Sequence, residues 1–398
     1  MKKIYMDYVA TNPMHPEVMN AMTPWFMENF GNPLSLYDSG IKARTALDNA
    51  RTATANLIGA QPKEIIFTSS GAESNNFALK GIAFANQSKG SHIIVSKVEH
   101  HSVLNTARFL EKHGFVITWL PVDNNGMINP ADVEKAINKE TILISIQHAS
   151  PEIGTIQQLA EISKIAKDKG IILHSDGVAS VGNIPVDVNE LGVDLMSFAA
   201  HQFYGPKGAA ALYIRGGTRI VPLIYGGIQE GGRRAGTENV PAIIGMGKAA
   251  EVAKTNLQKR IGHVTPMRDR MIKAALAVDN VILTGHPEQR LPGHASFVAE
   301  YIEGEAMLML LAGKGIDCAS GSACSSKALK ASPVLLSIGV PVASAQGSVV
   351  FSIGEGTTNE DIDYFNETFP QVINRLREIS PFSKGWEGME DSSCTAKK

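Results

Sequence analysis

The stretch LAEISKIAKDKGIILHSD, residues 159–176, decides the fold class. Leu159, Ile162 and Ala166 recur at helical spacing, and Lys169-Gly170 is a helix stop. The residues that follow, IILHSD, turn apolar, as a strand covered on both faces does. Working outward, the same alternation runs from about residue 64 to 215. Its strand candidates are EIIFTS (64–69), HIIVSKV (92–98), VITWLPV (116–122), ILISIQ (142–147), IILHSD (171–176), LMSFAA (195–200) and AAALYI (209–214). Helical patterns such as NPADVEKAI (129–137) lie between them. Strand–helix alternation of this kind predicts a mostly parallel sheet with helices on both faces. Ligands of such sheets sit at the carboxyl ends of the strands.

After about residue 256 the pattern changes. A long helical stretch, TNLQKRIGHVTPMRDRMIKAALAV (255–278), leads into shorter strands and helices up to about residue 380. The expected organisation is a large α/β domain over 14–255 and a smaller α+β domain made of 1–13 and 256–381. The polar tail, 382–398, is expected to be disordered.

The chain has 398 residues and is 44% hydrophobic, enough to bury a large core. A net charge of −2 offers no electrostatic footprint for nucleic acid or an anionic membrane. No segment approaches the roughly 18 consecutive apolar residues of a membrane span. MKKIYMDYVATNP has no apolar stretch fit for a signal peptide. Cys318, Cys324 and Cys394 are too few and too unevenly spread for a disulfide framework. The cytoplasm is the expected location.

Several loops carry candidate chemistry. FTSSGAESNN (67–76) runs from a strand through small residues into a helix, which suits a phosphate seat or an ordinary turn. VEHHSVLN (98–105) places His100 and His101 after a strand, without the neighbours a metal site needs. LHSDGVAS (173–180) puts Asp176 where a carboxylate needs a cationic partner, a protonated pyridine nitrogen for instance, or a helix to cap. GGRRAGTENV (231–240) is an anion-binding loop or one tied down by ion pairs. CASGSACSSKAL (318–329) surrounds Cys324 with small residues and places Lys327 nearby, the setting of a reactive thiol. AAHQFYGPKG (199–208) sets His201 and Gln202 between two buried strands.

Taken in order, YMDYVATNP, FGNPLSLYDSG, IIFTSSGAESNN, VEHHSVLNT, HASPEIGTIQ, LHSDGVASVG, AHQFYGPKG, GGIQEGGRRAGTENV, YIEGEAML and ASGSACSS resemble the cysteine desulfurases of the nitrogen-fixation and iron–sulfur type. The resemblance covers residues 4 to about 381. It implies the aspartate-aminotransferase-like, type I fold of pyridoxal phosphate (PLP)-dependent transferases, and a homodimer. It also implies movement of sulfur from L-cysteine onto a cysteine thiol, leaving alanine.

Carried over position by position, the resemblance gives His100 the place of the histidine on the pyridine ring. Asp176 takes that of the carboxylate on the pyridine nitrogen. His201 matches as well, and Thr237 takes the place of the threonine that reaches the phosphate of the neighbouring subunit. Cys324 corresponds to the persulfide-forming cysteine. Other positions depart. The Schiff-base lysine is Gln202, the phosphate-turn threonine is Ala72, and the residues near the PLP hydroxyl are Pro151 and Ala179. Ala199 replaces a serine, Val350 and Glu355 replace arginines, and Tyr8 and Val9 stand in an altered N-terminal motif.

Losing several hydroxyl and amide contacts, at about 0.5–1.5 kcal/mol each, together with the covalent bond, predicts PLP absent or weakly held. The expected function is then sulfur transfer or iron–sulfur cluster assembly through Cys324. That residue would act as persulfide carrier or as ligand of a cluster shared with a partner, with no other metal site. The expected partners are a second copy, a scaffold or sulfur-acceptor protein, and an active paralogue. Two alternatives are a low-activity desulfurase with noncovalent PLP, using Cys324 and His100, and a non-catalytic regulatory or structural dimer partner. The role of Cys318 and the surroundings of Gln202 stay open.

Overall fold

The computed structural model describes residues 3–321 and 331–380. Cys324, Lys327, Cys394 and the tail lie outside the described residues. β1 (Ile4–Tyr5) precedes the main sheet. That sheet comprises β2 (Ile65–Thr68), β3 (His92–Ser96), β4 (Val116–Leu120), β5 (Thr141–Ser145), β6 (Ile172–Asp176), β7 (Leu195–Ala199) and β8 (Ala210–Ile214). These are the strands expected from the apolar runs. Their order is β2-β8-β7-β6-β5-β3-β4. The pairs from β4 to β7 are parallel, and β8 runs antiparallel to both β2 and β7.

Successive residues of one strand feed opposite faces. Ile94, Ile144, Leu173 and Met196 enter one apolar cluster, with Leu47 and Ala50 of the helix Asp38–Leu57 and Ile162 of the helix Leu159–Asp168. Their chain neighbours Ile93, Leu143 and Leu195 enter another, with Phe77 and Leu79 of the helix Gly71–Asn86 and Val103 of the helix His101–Glu111. The period of two therefore explains the helices on both faces.

The long helix starts at Val240 and ends at Leu276. The sequence reading began it at Thr255. Asn239 caps it by accepting the Ala242 N–H, and Pro241 fits the first turn. Its first half is buried on the main sheet through Val240, Ile243, Met246 and Ala250. Its second half enters a separate core through Val264, Met267 and Met271. That core is built on an antiparallel sheet of β9 (Val281–Leu283), β10 (His294–Ala299) and β12 (Ser348–Ser352), in the order β12-β10-β9. β1 pairs in parallel with β11 (Ile316–Asp317), so the N-terminal Ile4 and Met6 pack there.

One buried ion pair fixes the loop before the long helix. Arg51 meets both carboxylate oxygens of Glu230 at 2.7 Å, and Glu230 also accepts the Phe67 N–H at 2.9 Å. The Arg51 guanidinium lies 4.7 Å from the centre of the Phe67 ring. Removing the charge strands a largely buried guanidinium. Glu230→Gln should cost about 3–5 kcal/mol of stability, read as a lower midpoint in urea unfolding. An unchanged midpoint would contradict this role.

Candidate active site

β6 ends on Asp176, whose side chain is buried. Its Oδ1 accepts the Val178 N–H at 2.9 Å and its Oδ2 accepts from Asn75 Nδ2 at 2.6 Å. Asn75 Nδ2 also donates to Ser102 Oγ at 2.8 Å, and Ser102 Oγ lies 2.7 Å from His100 Nδ1. His100 caps the helix that follows it and keeps an exposed ring. A hydrogen-bonded chain thus joins Asp176 to His100, the two residues matched from sequence.

Beside them Glu99 is fully buried and accepts the Gln147 N–H at 2.7 Å. Burial, reinforced by the Asp176 charge, pushes the Glu99 carboxyl well above the usual range. Burial also raises Asp176, opposed by His100 and the two donors. Burial thus shifts both carboxyl groups toward their protonated forms.

Gln202 does not face this network with a free amine, and its amide is engaged elsewhere. Its Nε2 donates to Val9 O at 2.7 Å, while its backbone oxygen accepts from Asn12 Nδ2 at 2.7 Å. The N-terminal segment is laced along the whole turn, with Asn12 N–H on His201 O and His15 N–H on Tyr204 O. The turn is a short 3₁₀ helix, Ala200–Phe203, closed by Tyr204 at φ +64°. Gln202 is buried and His201 half-buried; burial lowers the His201 pKa, with Lys207 adding to it.

At the start of the helix Gly71–Asn86, Ser70 Oγ caps by accepting the Glu73 N–H at 3.1 Å. Ala72 is exposed and brings no hydroxyl. Glu73 accepts from Arg234 Nε at 3.0 Å and from the Ser69 N–H at 2.9 Å. Burial opposes its ionisation, but Arg234 and Ser69 outweigh it and hold its pKa below the usual value. One of the two loop arginines is therefore tied down by an ion pair. Thr237, in the same loop, is exposed.

The positions where the resemblance expects arginines hold Val350 and Glu355. Val350 is buried within β12. Glu355 is paired: Arg260 reaches its Oε1 from Nε at 2.9 Å and from Nη2 at 2.7 Å, and donates from Nη1 to Gly182 O. Arg260 also stacks over Tyr204 at 4.5 Å, and the Glu355 N–H donates to the Tyr204 hydroxyl. Tyr8 packs obliquely on Tyr204. Gln202, Tyr8, Tyr204, Arg260 and Ala179 line a cavity of about 50 Å³. That is room for a water or two, far below the several hundred Å³ of an ordinary ligand pocket. Pro151, nearby in the chain motif, accepts at its backbone oxygen from the buried ring of His294.

Cys318 packs against the second core, and burial, helped by Asp7 and Asp317, pushes its thiol far up. It is a neutral packing residue. Sequence reasoning missed Glu99, Asn75, Ser102 and Arg260. The first three stood inside quoted motifs, but their partners come from other elements. Among the described residues no group of three acidic, histidine or cysteine side chains could hold a metal ion. No helix there is long and apolar enough to cross a membrane.

Comparison with known proteins adds an independent line. The model of the family Aminotransferase class-V matches residues 4–365. The cysteine desulfurase IscS of Dictyoglomus turgidum is 52% identical over 387 residues, covering 97% of this chain and 98% of that protein. The cysteine desulfurase IscS of Methanosarcina thermophila is 48% identical over 382 residues, covering 96% and 95%. Among solved structures, a NifS-like protein superposes with a TM-score of 0.88 at 34% identity, over 94% of this chain and 100% of its own.

The thiol assignment is open to direct check. Folded protein treated with iodoacetamide at about pH 8 should leave Cys318 unmodified, because a thiol held neutral is a poor nucleophile. Peptide mass spectrometry reads the result, and rapid modification of Cys318 would contradict the assignment.

Proposed function

The chain belongs to the class-V aminotransferase family and, within it, to the cysteine desulfurases, with the α/β fold of the NifS-like structures; from that premise we propose that it serves sulfur transfer for iron–sulfur assembly through Cys324, without the usual PLP chemistry. The observation that carries this reading is the Gln202 amide donating to Val9 O. An amide nitrogen neither forms an imine nor moves a proton at neutral pH. The residues present do not fit PLP held in the family's way. Asp176 and His100 hold the places the resemblance gives them and are joined through Asn75 and Ser102. The covalent anchor is an engaged amide, the phosphate turn presents Ala72, and Glu355 spends its charge on Arg260.

Cys324 keeps a motif that needs no PLP in its own pocket. Its thiolate attacks the outer sulfur of a donor persulfide. The donor's S–S bond breaks, a new S–S bond forms on Cys324, and the donor leaves as a thiol after taking a proton. No external oxidant enters the balance. The working unit is a homodimer, in which Thr237 lies toward the neighbouring copy. We divide each chain at residues 13 and 255, with the smaller unit presenting the cysteine motif to a scaffold or other sulfur acceptor in the cytoplasm.

Incubation with glutathione persulfide should add one sulfur atom to the Cys324 peptide, and Cys324→Ser should add none there. Absence of added sulfur on wild-type Cys324 would sink the proposal. A second outcome concerns the pocket. Gln202→Lys with added PLP should still show only the absorbance of free cofactor, because the other contacts remain missing. A stable aldimine band would mean that Gln202 alone disables the site.

A further inference from the structure

Glu152 sits in the turn between β5 and the helix Leu159–Asp168. The residue keeps some exposure, yet its Oε1 is enclosed and has no hydrogen-bond partner. Two chain positions converge on it. Gly321 comes so close that a Cβ there would stand 2.7 Å from Glu152 Oε1. Ser332, from the opposite direction along the chain, is near enough for its hydroxyl to oppose the rise of the Glu152 pKa. The same Ser332 Oγ accepts the N–H groups of Val334 and Leu335, capping the helix Pro333–Ser337. Ser348 Oγ of β12, also buried without a partner, lies 3.3 Å from the Gly321 Cβ position. In the sequence, Gly321 and Ser332 flank Cys324.

We propose that Glu152 is a positioning residue that braces the two chain positions flanking Cys324. The assignment rests on the reading of Cys324 as the working thiol. One side chain, on the main-sheet side, touches both. A Cβ at Gly321 would displace the Glu152 carboxyl group from its present place, and the Ser332 hydroxyl caps the helix Pro333–Ser337 beside it.

The brace responds to pH. Burial pushes the Glu152 carboxyl up to about 7, and the Ser332 hydroxyl opposes it. The groups facing this turn are Ser150, which accepts the Glu152 N–H, Ser332, Ser348, His294 on Pro151 O and Arg290 on Ile153 O. Burial, with Arg290 adding to it, lowers His294 to about 3, so that ring stays neutral throughout the relevant range. Arg290, lowered to about 10 by burial, stays cationic. Glu152 is thus the group that titrates there. Its folded pKa is raised, so the packed arrangement is favoured while the acid is neutral. The arrangement weakens as pH rises from the ordinary carboxyl range to about 7, where the enclosed carboxyl group ionises.

Hydrogen exchange tests this on the full chain. Protection of the amides at 317–321 and 331–337, corrected for the intrinsic pH dependence of exchange, should fall by about two orders of magnitude as pH rises from the ordinary carboxyl range to about 7. Glu152→Gln, neutral and of the same shape, should hold that protection flat. Ser332→Ala should move the midpoint upward, because the bond favouring the charged form is lost. Sulfur loading of Cys324 from glutathione persulfide should lose the same pH step in Glu152→Gln. A flat wild-type exchange profile, or one that persists in Glu152→Gln, would overturn the proposal. An unchanged loading profile in Glu152→Gln would overturn the positioning role even if exchange responds. The exchange readout contains no sulfur chemistry. Its failure leaves the sulfur-carrier reading standing, and failure of sulfur loading leaves the brace standing.

Discussion

The hydrogen bond from Gln202 Nε2 to Val9 O is the constraint on which the site depends. It belongs to a lacing in which Val9, Asn12 and His15 run along the turn 201–204 and satisfy its backbone. β1 then carries the same segment into the second core beside β11. The N-terminal segment therefore joins the end of β7 to the smaller sheet. A side chain at position 202 that left this bond would unpair an amide in a buried setting, a loss of about 1–3 kcal/mol. Position 202 here serves as a structural tie.

The tie has consequences around the cavity. Tyr8, next to Val9, leans on Tyr204, and Tyr204 lies under Arg260. Arg260 in turn neutralises Glu355 at the edge of the second core. Glu355 here joins two halves of the molecule through a mostly buried pair. Asp176 and His100 stand apart from these contacts. Their network through Asn75 and Ser102 is anchored on three elements of the main sheet and its helices and shares no hydrogen bond with Gln202.

Much of the fold was legible because the strands of the main sheet are apolar runs bounded by turn residues. Burial on both faces leaves no other use for such runs as HIIVS or LMSFA. The start of the long helix was not legible. Val240 to Ala253 is buried over most of its circumference and rich in small residues, so its polar face narrows to Lys248 and Glu251. In the site, Asp176 and His100 stand out in the sequence because each ends or follows a strand, and the fold joins them through Asn75 and Ser102. Arg260 was missed because its partner, Glu355, lies 95 residues away. Glu355 was read as a lost arginine, and only the fold shows it gaining a partner. Glu152 sat inside a quoted motif. Its meaning came from two positions that the chain alone keeps eleven residues apart, Gly321 and Ser332, and that the fold brings to one carboxyl group.

The central claim is that this member of the family works without PLP bonded to its chain. The visible absorption spectrum of the purified protein, taken alone, after adding PLP and then after adding L-cysteine, tests it most directly, with alanine assayed in the same sample. The account predicts the spectrum of free PLP throughout and no alanine. A persistent aldimine-type band that changes on adding L-cysteine, with alanine appearing, would contradict it and make the protein an active desulfurase.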